Sequence, residues 1–165
     1  MSDEMDEIIS EFVTEAEETL ERIDPMFVEL ETKGHDKDLL NEIFRGMHTL
    51  KGAAGFLGFQ SVVDVAHRAE SIMKRLRDGE IALTRDLMDV ILKSVDTLRL
   101  LISHIKLKDG VEEDTSSLLA ELDNALESAV SGQEMKDMSV EKPEDIPSEE
   151  PTMPAEPETE KLPEP

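Results

Sequence analysis

The stretch IFRGMHTLKGAAGFLGF, residues 43–59, predicts a helix with two different faces. Apolar side chains recur every three or four residues and form one buried stripe: Phe44, Met47, Leu50, Ala54 and Leu57. A second strip faces solvent, with members three, four and seven residues apart: His48, Lys51, Gly52 and Gly55. A glycine inside a helix costs about 0.5–1 kcal/mol relative to alanine. Two glycines beside one histidine therefore indicate that another molecule approaches this strip closely.

The imidazole of His48 indicates why another molecule would approach this strip. Imidazole titrates near neutral pH and is a nucleophile when it is neutral. Lys51, one turn along, is placed to neutralise part of the charge of a phosphoryl group, and bare backbone at the two glycines leaves room for another protein's active site. These residues favour phosphoryl transfer. The spacing alone fits equally well an ordinary helix with one exposed histidine and glycines that serve helix packing.

The run HTLKGAAG, residues 48–55, resembles the H-x-x-K-G-x-x-G signature of histidine phosphotransfer (HPt) domains. The histidine, the lysine and both glycines stand in register, and the likeness is strongest to the domain that opens chemotaxis histidine kinases of the CheA family. The resemblance covers residues 1–131. It implies an all-α fold, an antiparallel four-helix bundle with an additional fifth helix, in which His48 is phosphorylated.

Helical periodicity in the chain agrees with that expectation, since apolar stripes predict five helices over about 3–32, 37–57, 59–78, 85–107 and 114–132. Pro25 lies inside the first stripe and removes one backbone donor, so a kink or a break is expected near Asp24. The other face of this helix carries many carboxylates, which most simply form a solvated surface. A metal site built from these carboxylates is disfavoured, because no histidine lies at metal-ligand spacing. Asp36 and Thr84 are predicted N-caps. His35 and His104 are given no functional role.

His67 and Glu70 form a second pair of interest, three residues apart on the third predicted helix. They leave the buried stripe together and are placed to border the second helix. A surface pair of this kind is ordinarily structural and weak. The resemblance, however, implies that a histidine and a glutamate of this spacing lie beside the phosphorylated histidine. Glu70 would accept a hydrogen bond from one ring nitrogen of His48 and leave the other nucleophilic, with Lys51 and His67 flanking the site.

Composition limits the classes of partner. The 165 residues include 40 acidic and 17 basic side chains, and the net charge of -23 would be repelled by the phosphate backbone of a nucleic acid. The absence of cysteine excludes disulfides and cysteine-built metal sites. The acidic N-terminus does not resemble a signal peptide, and no apolar run has the length of a membrane span. We expect a monomeric, cytoplasmic protein with no metal.

Residues 132–165 differ in composition from the rest of the chain. They hold seven of the eight prolines and eleven acidic residues against three lysines. Proline blocks helices and sheet ladders while like charges repel, so this segment is expected to be a disordered linker that follows a domain of residues 1–131. The linker suggests the first piece of a longer protein.

The functional expectation is a phosphoryl carrier and not a kinase by itself. The chain has no glycine-rich phosphate loop near a strand, so ATP would be the phosphoryl source while bound to another domain, and this chain needs no cofactor. The resemblance implies two partners, the ATP-binding kinase domain and the receiver domain of a response regulator of the CheY or CheB type. It implies a histidine protein kinase as the parent protein. Two alternatives stay open: a stand-alone or hybrid-kinase HPt transmitter, and a helical scaffold whose acidic tail binds a basic partner.

Overall fold

The computed structural model describes the backbone of residues 2–140 and the side chains of residues 3–132. This part of the chain contains five α-helices and no strand: α1 (Ser2–Lys33), α2 (Lys37–Leu57), α3 (Gln60–Arg77), α4 (Arg85–Leu107) and α5 (Ser116–Val140). The predicted all-helical class is therefore confirmed. None of these helices is long and apolar enough to cross a membrane.

The first four helices form the bundle. Each packs against the next along the chain, and α1 also packs against α4, so that the four close into a ring around one core. In the predicted stripe of α2, Met47, Leu50 and Ala54 are buried, whereas Phe44 and Leu57 are half-buried. The largest fully buried side chains of the core include Leu20, Ile23, Phe27, Leu40, Ile43 and Met47. Short connections between neighbouring helices make them antiparallel.

Pro25 lies inside α1, which continues unbroken from Ser2 to Lys33. The expectation that the first helix breaks into two pieces at this point is wrong. A proline inside a helix costs about 3 kcal/mol. The flanking side chains of Ile23 and Phe27 are almost completely buried, and burial of two such side chains contributes about 1.5–3 kcal/mol each. Core packing on both sides of the proline therefore holds the helix together.

Short connections fix the register of α2 between its neighbours. Asp36 caps α2 by accepting a 3.1 Å hydrogen bond from the backbone N–H of Leu39, and Thr84 caps α4 in the same way through Leu87. Both predicted caps are confirmed. Gly58 ends α2 with a φ of 82°, a left-handed conformation that glycine adopts without strain. The chain then reverses within two residues, so α3 runs back along α2.

Two histidines without a predicted role take part in the connections between helices. The ring Nε2 of His35 lies 2.8 Å from the backbone carbonyl of Leu76, which joins the α1–α2 turn to the end of α3. The ring Nδ1 of His104 lies 2.8 Å from a carboxylate oxygen of Asp109. That partner is five residues away, beyond the end of α4, where helical spacing no longer predicts contacts.

The fifth helix buries Leu118 and Leu122 against the bundle. Exposed ion pairs link it to two helices, Arg68 of α3 with Asp123 and Lys93 of α4 with Glu121. It was expected to end by Gly132 but continues to Val140. One glycine costs a helix only about 1 kcal/mol, and proline first recurs at Pro143. The chain divides into two compact units, of which the first spans Met1–Gln133. Residues 141–165, the bulk of the predicted linker, lie outside the described residues, so the predicted domain division stays a prediction.

Candidate functional site

Helices α2 and α3 bring three of the predicted site residues together. One carboxylate oxygen of Glu70, Oε2, is hydrogen-bonded to Nδ1 of His48. The other, Oε1, accepts a hydrogen bond of 2.7 Å from the ammonium group of Lys51. His48 and Lys51 occupy one face of α2, three residues apart, and Glu70 lies opposite them on α3. The antiparallel register of the two helices thus assembles a His–Glu–Lys cluster from positions about 20 residues apart in sequence.

The three side chains differ sharply in exposure. The side chain of Glu70 is only 9% exposed, whereas that of His48 is 64% exposed and that of Lys51 is 26% exposed. Buried carboxylates are stable only when they are paired and hydrogen-bonded. Glu70 is therefore held in place from two directions, and the imidazole it contacts reaches into solvent.

Opposing effects set the pKa of the Glu70 carboxyl. Burial raises this pKa, but the hydrogen bonds from Lys51 and His48 and their nearby charges lower it by more, so that it lies below the ordinary value of 4.5. Glu70 is thus ionised at neutral pH and can only accept hydrogen bonds. The proton between the two side chains consequently belongs to Nδ1 of His48, and in the neutral ring Nε2 carries the free electron pair.

The helix surface around His48 is open, as its glycines predicted. A Cβ atom built at Gly52 would meet no heavy atom within 4 Å, and one at Gly55 would meet only a methyl group of Val63 at 3.8 Å. Phe56, on the same helix, is 84% exposed. Nothing in the described part of the chain covers this strip, so a second molecule has access to the free nitrogen of His48.

Lys51 flanks His48 through their shared partner, because its ammonium group is bonded to the carboxylate of Glu70. It therefore stabilises the charged form of that carboxylate. Its predicted action on the charge of a phosphoryl group stays a prediction.

His67 does not join the cluster. It is exposed, and within the described residues it has no hydrogen bond or ion pair with His48, Lys51 or Glu70. It lines a shallow groove of about 190 Å³ against Leu122, Asp123 and Leu126 of α5. Its predicted role beside the phosphorylated histidine stays a prediction.

Two residues that the sequence did not connect with the site extend from the cluster, one beside His48 and one behind it. The ring of Phe44 stacks beside the imidazole of His48, and the guanidinium of Arg77 lies over the ring of Phe44. Phe44 was assigned to the buried stripe, although its spacing of four residues from His48 also predicts contact along a helix. Arg77 is 29 residues further along the chain, and helical spacing alone could not have linked it to His48. No group of three or more potential metal-ligating side chains occurs among the described residues.

Comparison with known proteins shows the family of the chain. A sequence model of the Hpt domain family matches residues 7–132. The sensor histidine kinase CheAY of Helicobacter pylori is 38% identical over 136 residues, which cover 77% of this chain and 17% of that protein. The chemotaxis protein CheA of Halobacterium salinarum is 32% identical over 115 residues, 70% of this chain and 17% of that protein.

Among solved structures, the CheA phosphotransferase domain from Thermotoga maritima is 39% identical, with a TM-score of 0.58. The match covers 60% of this chain and 94% of that domain. The chain thus spans about a sixth of the length of the two kinases and nearly all of the isolated domain. It belongs to the Hpt domain family, and residues 7–132 are a phosphotransfer domain of the type found in CheA chemotaxis kinases.

Proposed function

We propose that His48 is the phosphoryl carrier of this domain and that it acts through Nε2. The observation that supports this most strongly is the bond between the exposed imidazole and the ionised, buried carboxylate of Glu70. That bond holds the proton on Nδ1 and leaves Nε2 unprotonated on the solvent side. A neutral imidazole in this tautomer is a nucleophile that needs no further deprotonation.

In the loading step, the Nε2 electron pair attacks the γ-phosphorus of ATP bound to a kinase domain. The Nε2–P bond forms while the bond from phosphorus to the bridging oxygen breaks, and ADP leaves. The ring is then substituted on both nitrogens and carries a positive charge, which the Glu70 carboxylate stabilises. Lys51 keeps that carboxylate ionised through its 2.7 Å hydrogen bond.

In the unloading step, we propose that an aspartate of a receiver domain accepts the phosphoryl group. The carboxylate oxygen attacks phosphorus, the Nε2–P bond breaks, and the ring departs as neutral imidazole with its proton still on Nδ1. The open surface at Gly52 and Gly55 gives a receiver's loops room to reach the phosphorus. The resemblance to chemotaxis kinases suggests a response regulator of the CheY or CheB type as the partner.

We further propose that the parent protein is a chemotaxis histidine kinase. The chain corresponds to 17% of the length of such relatives, so nucleotide binding would reside in another part of the protein. ATP would then be a substrate of that part and not a cofactor of this domain.

Phosphorylation of His48→Gln tests the assignment. The wild-type chain is incubated with a CheA kinase core and radiolabelled ATP, and the label is treated with acid and base. We expect an acid-labile, base-stable phosphoramidate on the wild type and no label on His48→Gln. His104→Gln serves as the matched control, because it removes a histidine that is bonded to Asp109 outside the cluster, and it should be labelled normally. Label that persists on His48→Gln, or that maps to His35 or His104, would contradict the proposal.

A further inference from the structure

The hydrogen bond that Glu70 accepts from His48 sets which ring nitrogen is protonated, but one hydrogen bond does not fix the plane of an imidazole. The side chain of His48 is 64% exposed, so solvent surrounds most of the ring. Phosphoryl transfer needs the Nε2 electron pair aligned with the phosphorus and the leaving oxygen. A second contact that restrains the ring plane would serve this alignment.

Phe44 provides a contact of that kind. It precedes His48 by four residues, one turn along α2, and their ring centroids are 6.1 Å apart with only 18° between the ring planes. This is the offset, nearly parallel geometry that aromatic rings prefer. Because Phe44 is half-buried and packed against the core, its own ring is less free than the imidazole it contacts.

Arg77 in turn holds Phe44. Its guanidinium carbon Cζ lies 4.6 Å from the centroid of the Phe44 ring, within the range of a cation–π interaction. The guanidinium is fixed by two further hydrogen bonds, from Nη1 to the side chain of Asn41 at 3.1 Å and from Nε to the carboxylate of Asp78 at 3.0 Å. The Arg77 side chain is only 22% exposed. The end of α3 therefore clamps an aromatic ring of α2.

We infer that Phe44 and Arg77 are positioning residues that set the plane of the His48 imidazole for phosphoryl transfer. This inference rests on the proposed function of His48. In this scheme Glu70 selects the tautomer of His48. The stack of Arg77 and Phe44 on His48 restrains the orientation of the imidazole ring. Neither Phe44 nor Arg77 touches the phosphorus in this scheme.

The test compares Phe44→Leu and Arg77→Met with the matched control Arg75→Met. Leucine keeps apolar bulk at position 44 but has no flat face. Methionine keeps the apolar stem of Arg77 but removes its charge and its hydrogen bonds. Arg75 is also an arginine near the end of α3, but it pairs with Glu80 at 3.4 Å, so Arg75→Met should phosphorylate at the wild-type rate.

We expect the single-turnover rate of phosphorylation at saturating kinase core to fall about tenfold in Phe44→Leu and about threefold in Arg77→Met. The kinase concentration at half-saturation should stay unchanged in both. Arg77→Lys keeps the cation over the ring and should recover part of the loss. Thermal unfolding checks that each variant is folded, and Arg77→Met, which leaves the Phe44 ring in place, keeps the test valid if Phe44→Leu is too unstable.

Nuclear magnetic resonance separates orientation from tautomer. In Phe44→Leu the carbon-bound ring protons of His48 should lose the shift caused by the neighbouring aromatic ring, while the two nitrogen-15 shifts should keep their wild-type values because Glu70 still sets the tautomer. Wild-type rates in both variants would overturn the inference. A higher kinase concentration at half-saturation with an unchanged maximal rate would also overturn it, because Phe44 would then be a docking contact. Label on wild-type His48 in the same assay keeps these failures distinct from a failure of the proposed function.

Discussion

Glu70 is the residue that, in the proposed mechanism, prepares His48 as a nucleophile. Its carboxylate is nearly completely buried, which is unfavourable for a charge unless both oxygens are satisfied. Lys51 satisfies one oxygen and His48 the other. A carboxylate held in this way has little freedom to adopt another partner, so the tautomer of His48 is selected by the packing of α3 against α2.

Glu70→Gln separates this role from general electrostatics. The amide removes the charge, and its oxygen is a weaker acceptor for Nδ1–H, so phosphorylation by kinase core and ATP should slow by about ten- to a hundredfold. Transfer from phosphorylated His48 to a receiver should slow less, because the proton already resides on Nδ1 in that state. Nitrogen-15 titration of His48 should report a changed tautomer ratio.

The control for that experiment is Glu80→Gln, since Glu80 is a glutamate paired with Arg75 on the surface near the end of α3. It should leave both rates unaltered. If Glu70→Gln shows the same tautomer ratio as the wild type and phosphorylates at the full rate, the orienting role of the carboxylate is wrong.

Only some of the candidate site residues could be predicted from the sequence. His48, Lys51 and the glycines follow from a local motif on one helix, and Glu70 followed from resemblance because its contact with His48 depends on how two helices pack. Arg77 was missed for the same reason. The burial of Glu70 and its hydrogen bond with Lys51 both depend on how α2 and α3 pack. The spacing of residues along one helix does not predict such packing.

At the scale of the element, α2 contains glycines of two kinds. A Cβ atom at Gly46 would lie 3.2 Å from a methyl group of Thr19 and 3.3 Å from one of Ile23, both on α1. One at Gly52 would meet no heavy atom within 4 Å. Gly46 therefore serves the close packing of α2 on α1, while Gly52 lies on the open strip.

Alanine substitutions should separate the two kinds. Gly52→Ala should stabilise the fold by about 0.5–1 kcal/mol through helix propensity. Gly46→Ala gains the same propensity but must displace the buried Ile23 and the half-buried Thr19. Overpacking costs about 1–3 kcal/mol, so this variant should be neutral to destabilising. Urea unfolding of both variants measures the difference. Equal stabilisation by the two alanines would show that α1 adjusts freely around Gly46.

A larger side chain at Gly52 tests access to His48. Gly52→Gln should preserve or raise stability, yet transfer between His48 and a CheY-like receiver should slow in both directions because the side chain occupies the space above the strip. Stopped-flow or rapid-quench transfer from the phosphorylated domain measures the rate. Transfer at the wild-type rate would contradict the idea that bare backbone at this position is needed.

The helices themselves were predictable because their apolar stripes are long and their caps are explicit. Two features of the helices could not be predicted, and both for physical reasons. Continuity of α1 through Pro25 depends on the burial of Ile23 and Phe27, which is a property of the folded core. Continuation of α5 past Gly132 shows that composition over a whole segment does not locate the residue at which a helix ends.

At the scale of the whole molecule, an excess of acidic charge is partly balanced by pairs between α1 and α4. Lys106 lies 3.2 Å from the carboxylate of Glu17, and Arg99 is paired with Asp24. Such exposed pairs contribute little individually. They do show that carboxylates of α1, expected to form a solvated surface, also take part in the contact between two helices. With a net charge of -23, self-repulsion should nevertheless decrease as the pH falls from neutrality.

The contribution of Glu70 to stability should decrease as the pH falls, against that trend. Comparison of the wild type with Glu70→Gln isolates this contribution. Its pKa in the folded state is lower than the ordinary 4.5, so near that pH the unfolded chain binds more protons than the folded one. Its contribution to stability is therefore present above pH 4.5 and lost as the pH falls through the folded-state pKa. Glutamine at this position does not titrate. The free energy of unfolding of the wild type minus that of Glu70→Gln should hence be larger at about pH 7 than at about pH 3, as measured by urea unfolding. Repeating the comparison in Lys51→Met removes one hydrogen bond that lowers this pKa, and the pH dependence of the difference should shrink. A difference that is the same at both pH values in the wild-type background would mean that the pairing of Glu70 with His48 and Lys51 does not favour its ionised form.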